Sequence, residues 1–99
     1  MTLVWSPTAR DDLRRIRTYI ERHHPKAASR VARRIVETSH RLRAGPRIGP
    51  PGREKNTREI VVRGTPYLIV YRLAATTIEI LRVLHGRQDW PATEPVTTR

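Results

Sequence analysis

A histidine and an arginine close together near the end of the sequence, His85 and Arg87, form the arrangement best suited to chemistry. Histidine titrates near neutrality and can move protons in phosphodiester cleavage, and an adjacent arginine could hold the phosphate. Arg82 interrupts an apolar run shortly before them. It either binds a phosphate or partner, or pairs with a carboxylate such as Glu59 or Glu79. No second acid or base is obvious nearby, so the alternative is that His85 only satisfies a backbone group where a strand turns.

Arginine dominates the charge of this chain. Its 20 basic residues, 18 of them arginine, face only 9 acidic ones, which gives a net charge of +11. A chain this basic attracts nucleic acid, an anionic membrane or an acidic protein, and composition does not choose among them. A solvated surface is the simpler interpretation, but carboxylates to balance it are scarce. The arginines that we predict bind a protein partner or a target are Arg10, Arg14, Arg17, Arg30, Arg33, Arg34, Arg63 and Arg72.

Length and composition exclude several classes of protein. A chain of 99 residues forms one small domain, which we place at residues 1–91, with residues 92–99 as a flexible tail. The absence of cysteine removes disulfides, thiolate nucleophiles and cysteine-based zinc sites. His23 and His24 are adjacent rather than spaced for a metal, and there is no glycine-rich phosphate loop. We therefore predict no cofactor and no metal. No signal peptide or membrane span is recognisable, which predicts a cytoplasmic protein.

The elements that position these residues follow from periodicity. Leu3–Trp5 predicts a short strand, and Ser6-Pro7 is a typical helix start. Apolar residues at helical spacing predict one helix from about residue 7 to 24 and a second from Pro25 to about residue 44. After a loop rich in proline and glycine, three alternating runs at 59–63, 67–71 and 78–84 predict strands with short, antiparallel connections. The fold class is α+β: an N-terminal strand and an antiparallel helical hairpin packed on one face of a small antiparallel sheet.

The sequence resembles the RelE/ParE superfamily of bacterial type II toxins, often labelled plasmid stabilisation proteins. The resemblance covers almost the whole chain. It is carried by Trp5-Ser6-Pro7, Ile16-x-x-Tyr19-Ile20, Pro46-Arg47-x-Gly49, Arg58 to Val62, Tyr67-x-Ile69-Val70-Tyr71-Arg72 and the ending Ile80 to Trp90. That ending, an apolar strand followed by His85-Gly86-Arg87-Gln88-Asp89, is its most specific part. The fold of the superfamily is a helical hairpin on an antiparallel sheet, as predicted above.

The resemblance implies a toxin that a cognate antitoxin neutralises in a hetero-oligomeric complex. The antitoxin would wrap the toxin with an acidic extension, which suits a surface of this charge. ParE-like members inhibit DNA gyrase without known chemistry of their own, whereas RelE-like members cleave mRNA in the ribosome. RelE-like toxins usually carry an arginine at the position of Leu68 and a late catalytic tyrosine, and this chain has neither. The resemblance therefore favours a gyrase inhibitor that is not an enzyme.

Two alternatives stay open. The first is a metal-independent, ribosome-dependent endoribonuclease, in which arginines hold the scissile phosphate and His85 moves a proton. Its catalytic residues would be Arg58, Arg82, His85 and Arg87. The second is a basic nucleic-acid-binding module without toxicity, although the sequence has no helix-turn-helix, RNA-recognition or zinc-finger signature.

Overall fold

A computed structural model of the protein describes residues 1–88 and residue 90. The proposed flexible tail at 92–99 lies outside these residues. Six elements follow one another along the chain: β1 (Thr2–Trp5), α1 (Pro7–His23), α2 (Pro25–Arg41), β2 (Arg58–Val61), β3 (Tyr67–Leu73) and β4 (Thr77–His85). None of the helices in this part of the chain is long and apolar enough to cross a membrane.

Local sequence accounts for the two helices. The Ser6 hydroxyl caps α1 by accepting a hydrogen bond from the Ala9 backbone N–H at 3.0 Å, and Pro7 occupies the first turn. Pro25 opens α2 directly after the break at His24. The second helix ends earlier than predicted, at Arg41. The backbone N–H groups of the next three residues donate to carbonyls three residues back, as in a 3₁₀-helix, instead of four residues back as in an α-helix.

The sheet has the strand order β1-β4-β3-β2. The three later strands are antiparallel, as their short connections predicted. The N-terminal strand instead lies parallel to β4, so the sheet is mixed rather than purely antiparallel. All the other elements separate β1 from β4 in sequence, and hence no short connection forced an antiparallel pairing.

The helical hairpin buries its apolar stripe against one face of the sheet, and the predicted α+β architecture is confirmed. The core contains Ala9, Val31, Ile35, Ile69, Ile78 and Ile80. Its largest fully buried side chain is Tyr71.

A bulge in β4 sets the position of the candidate site. Val70 of β3 pairs with Arg82, but the next residue, Tyr71, pairs with Ile80, so Leu81 is an extra residue. The parallel partner β1 ends opposite Ile80. From Arg82 onward, β4 therefore has no strand beside it on that edge within residues 1–88, and the start of α1 lies there instead.

Candidate functional site

A cleft of about 360 Å³ lies between α1 and the end of β4. The cleft begins at the bulge, because the β4 residues after Leu81 lie beside α1 rather than beside another strand. Its polar and aromatic lining includes Asp12, Tyr19, Tyr67, Arg82, His85 and Gln88.

Asp12 organises the cleft from α1. Its carboxylate is almost fully buried and accepts from Arg82 Nε at 2.7 Å and from Arg82 Nη2 at 3.1 Å. It also accepts the Val83 backbone N–H at 2.9 Å, a donor that a neighbouring strand would otherwise satisfy. Both Asp12 oxygens bind Arg82, and Oδ1 also accepts from Arg15 Nη2 at 3.1 Å, so one carboxylate is shared between two arginines.

The predicted pairing of Arg82 with Glu59 or Glu79 is therefore wrong, because its carboxylate partner is Asp12. Glu59 lies 3.2 Å from Arg53 Nε, and Glu79 lies 2.8 Å from Arg72 Nη2. The bulge turns Arg82 away from both and around the free edge of β4 toward α1. There its guanidinium also lies 5.6 Å from the centre of the Trp90 ring, within range of a cation–π contact.

His85 is held by the turn that follows β4. Its Nδ1 accepts the Arg87 backbone N–H at 3.1 Å, and its ring meets Tyr67 edge-on at 5.7 Å between centroids. While Nδ1 accepts this N–H, its lone pair is occupied, so Nδ1 is not available as a general base in this arrangement. Burial, together with the nearby Tyr19, raises the pKa of Tyr67, which keeps this phenol neutral.

The four residues of the ribonuclease hypothesis do not meet in one place. Arg82 and His85 line the cleft. Arg58 lies opposite Tyr71 in the β2–β3 ladder, and its Nη1 donates to Gly49 O at 2.7 Å. His85 lies opposite Tyr67, so the positions of Arg58 and His85 are four residues, or about 13 Å, apart along β3. The Arg87 side chain is exposed outside the cleft, although its backbone N–H binds His85.

Four of the helix arginines rim a groove between α1 and α2, which we call the hairpin groove. Its volume is about 590 Å³, and its floor is the apolar set Leu13, Ala32 and Val36. Two arginines of α1 are paired within their own helix: Arg14 with Asp11 at 2.8 Å, and Arg17 with Glu21 at 3.7 Å. The arginines that rim the groove are Arg10, Arg14, Arg17 and Arg33.

A second basic surface, which we call the arginine patch, borders the hairpin groove along α2 and shares Arg33 with it. It joins this helix to the turn between β2 and β3, and its members are Arg30, Arg33, Arg34, Arg41 and Arg63. Arg72, predicted to belong with these arginines, lies apart from them. It pairs with Glu79 and lines a separate depression together with Arg58.

Sequence reasoning missed the part that Asp12 and Tyr19 play in the cleft. A signal for Asp12 was present, because it lies three residues after Ala9 and four before Ile16, on the buried stripe of α1. A carboxylate on such a stripe needs a buried partner. Across the described ranges, no group of three or more histidine, cysteine, aspartate or glutamate side chains could hold a metal ion.

The fold is similar to that of proteins from solved toxin–antitoxin systems. The structure resembles the chromosomal ParDE toxin–antitoxin system of P. aeruginosa, with a TM-score of 0.80, 26% identity, and coverage of 86% of this chain and 95% of that one. It also resembles the toxin–antitoxin complex RelBE2 of Mycobacterium tuberculosis, with a TM-score of 0.60, 33% identity, and coverage of 85% and 95%.

Sequence comparison gives the family. Residues 3–90 match the family described as the ParE toxin of the type II toxin–antitoxin system parDE. The chain is also 44% identical over 87 residues to the putative toxin Y4kP of Sinorhizobium fredii, covering 88% of this chain and 90% of that protein. The protein thus belongs to the ParE toxin family, and the predicted resemblance to the RelE/ParE superfamily is confirmed.

Proposed function

We propose that this toxin inhibits DNA gyrase by binding it, and that a cognate antitoxin neutralises it by direct contact. The observation that carries the proposal is the set of hydrogen bonds that Arg82 and His85 form within the cleft. Asp12 binds Nε and Nη2 of Arg82, and His85 Nδ1 is occupied by the Arg87 N–H. These contacts commit the cleft side chains to the fold, and His85 Nδ1 is not free to accept a proton as they stand.

The sheet face opposite the helices supports the same proposal. Val61, Leu68 and Leu84 lie side by side there, and Val61 is 64% exposed. Glu59 shares this face and is bound by Arg53. Leu84 is only 1% exposed, and Arg82 lies in the same row of this face as Glu59. This part of the face therefore presents the apolar edge at Val61 and two ion-paired arginines, Arg53 and Arg82, rather than unpaired cations for a scissile phosphate.

The hairpin groove supports the antitoxin part of the proposal. An apolar floor between basic rims fits an amphipathic helix that presents apolar residues to Leu13, Ala32 and Val36 and acidic residues to the arginines. Both solved structures described above are toxin–antitoxin systems. We therefore assign the antitoxin to this groove, which leaves the exposed Val61 edge of the sheet for the target.

A gyrase assay tests the proposal. The antitoxin-free toxin should block supercoiling and trap cleaved DNA, and the antitoxin should reverse both effects. The double variant H85A/R87A should keep its inhibition within about threefold of the wild type, because neither residue performs chemistry. Antitoxin binding by the same variant serves as the control for folding. Untouched gyrase at micromolar toxin would contradict the proposal.

The ribosome-dependent endoribonuclease is the second candidate. The observation that favours it is the cleft itself, where Tyr19, Tyr67 and His85 offer aromatic surfaces beside Gln88, and such surfaces can stack on unpaired bases. For this candidate, H85A/R87A would abolish mRNA cleavage on ribosomes by 100-fold or more while antitoxin binding survives.

A further inference from the structure

The arginine patch is built from two separate elements that are fastened together. Arg34 of α2 donates from Nη1 to the backbone O of Arg63 at 3.0 Å, which ties the helix to the turn after β2. Gly64 follows with φ of +79°, and a Cβ at this position would lie 2.9 Å from Arg34 Nη1. Glycine therefore provides both the turn and the space for the guanidinium.

None of the five arginines of the patch forms an ion pair among the residues that the structure describes. Within residues 1–88 and 90, the ion pairs use Asp11, Asp12, Glu21, Glu59 and Glu79, and none of these pairs includes a patch arginine. Glu37 is the acidic member of the patch lining, and it forms no ion pair in the same range. The patch thus keeps a high positive charge that an external polyanion could neutralise.

The lining of the patch differs from that of the hairpin groove in having no apolar side chain. Apart from its arginines, it contains only Glu37 and Thr38. Stable protein interfaces need buried apolar or aromatic anchors, whereas contacts to nucleic-acid phosphates are polar and strongly positive. A site for single strands would add aromatic platforms for the bases, and no aromatic residue lines the patch.

We propose that the arginine patch binds the phosphate backbone of double-stranded DNA without sequence preference. Arg30 and Arg41 lie 11 residues apart on α2, a span of about 16 Å along the helix. Because duplex DNA carries one charge per about 1.7 Å of its axis, this span faces several phosphates. The proposal concerns the toxin alone and does not depend on its inhibiting gyrase.

The test is a titration of labelled 30-base-pair duplexes of two unrelated sequences with the full 99-residue chain, without antitoxin or gyrase, at 50 to 200 mM salt. Both duplexes should bind equally. The variant R30Q/R41Q/R63Q should bind at least tenfold more weakly at low salt. The slope of log K against log salt concentration should be shallower for this variant by about 2 to 3, because each phosphate contact contributes about 0.9 to that slope.

The matched control R22Q/R47Q/K55Q removes the same charge from exposed sites outside the patch and should weaken binding less than threefold. Circular dichroism checks that both variants fold. The variant R30K/R41K/R63K should keep the wild-type salt dependence, because charge rather than the guanidinium fork carries non-specific binding.

Equal weakening by the patch variant and the control would overturn the proposal. So would unchanged DNA binding together with weakened antitoxin binding, which would make the patch a protein-docking surface.

Discussion

Asp12 shows at the scale of one residue how the cleft is held together. Its two oxygens accept hydrogen bonds from Arg15, Arg82 and the Val83 backbone. One carboxylate thus closes the free edge of β4, neutralises the most buried arginine of the cleft and fixes α1 against the sheet.

Replacing Asp12 with asparagine should lower the free energy of unfolding by about 3 kcal/mol, because Arg82 would lose its buried counter-charge. Urea unfolding measures this value. The matched control is the neighbouring D11N, whose side chain is 64% exposed in a surface pair with Arg14 and should cost no more than about 0.5 kcal/mol. Equal losses in the two variants would contradict a structural role for Asp12.

For His85, the position in the sequence does not decide whether the side chain is available for chemistry. Its neighbour Arg87 marked it as a candidate base in the sequence, but it is the backbone of Arg87, and not its side chain, that the ring contacts. Which nitrogen carries the proton decides what a histidine can do, and a backbone N–H two residues ahead sets that choice here.

At the scale of elements, one buried hydroxyl binds the long loop between α2 and β2 at two points. Tyr71 of β3 donates to Pro46 O at 2.7 Å and accepts the Gly49 N–H at 3.0 Å. A Cβ on Gly49 would lie 2.8 Å from the same hydroxyl, so only glycine permits this approach. The loop in turn holds Arg58, whose guanidinium donates to Gly49 O.

Y71F should lower the free energy of unfolding by about 2 kcal/mol, because it leaves the buried Gly49 N–H without its partner. Burial raises the pKa of Tyr71 above its ordinary value of 10.0, against smaller opposing effects of Gly49 and Arg58. The unfolded chain therefore loses this proton first, and stability falls as pH rises above about 10. Unfolding measured from pH 8 to 11 should show a weaker alkaline loss in Y71F than in the wild type. The control Y19F removes a phenol that is 62% exposed and should change the free energy of unfolding at pH 8 by no more than about 0.5 kcal/mol.

At the scale of the whole molecule, the net charge of +11 is divided between surfaces of different character. The hairpin groove combines an apolar floor with arginines, two of which are paired within α1. The arginine patch has no apolar lining, and its arginines form no ion pair in the part of the chain that the structure describes. We expect the first surface to recognise protein and the second to recognise DNA.

R10E/R17E should weaken antitoxin binding by tenfold or more and reduce the salt dependence of its association rate, because both charges rim the groove and neither belongs to the arginine patch. Stopped-flow association at several salt concentrations measures this. The control R22E/K55E makes the same change in charge outside the groove and should alter the rate less than threefold. Identical effects of the two variants would mean that net charge alone attracts the antitoxin.

Local patterns in the sequence determined the elements of this protein. Ser6 and Pro7 placed the start of α1, the apolar stripes gave two helices that pack on one face, and the short connections gave three antiparallel strands. These features depend on neighbours a few residues apart, so they can be derived without the fold. The family motifs likewise lie along the chain and led to the ParE toxin family.

Only the tertiary structure decided how the candidate residues are used. The parallel pairing of β1 with β4 and the pairing of Arg82 with Asp12 join distant parts of the chain, the second across 70 positions. The bulge at Leu81 arises where β4 pairs with β3. Alternation along β4 gave no sign of the extra residue that turns Arg82 toward Asp12. The sorting of the arginines into a groove with an apolar floor and a wholly polar patch also depends on which side chains meet across α1, α2 and the turn after β2. Charge can be counted from the sequence, but whether a charge is neutralised depends on long-range packing.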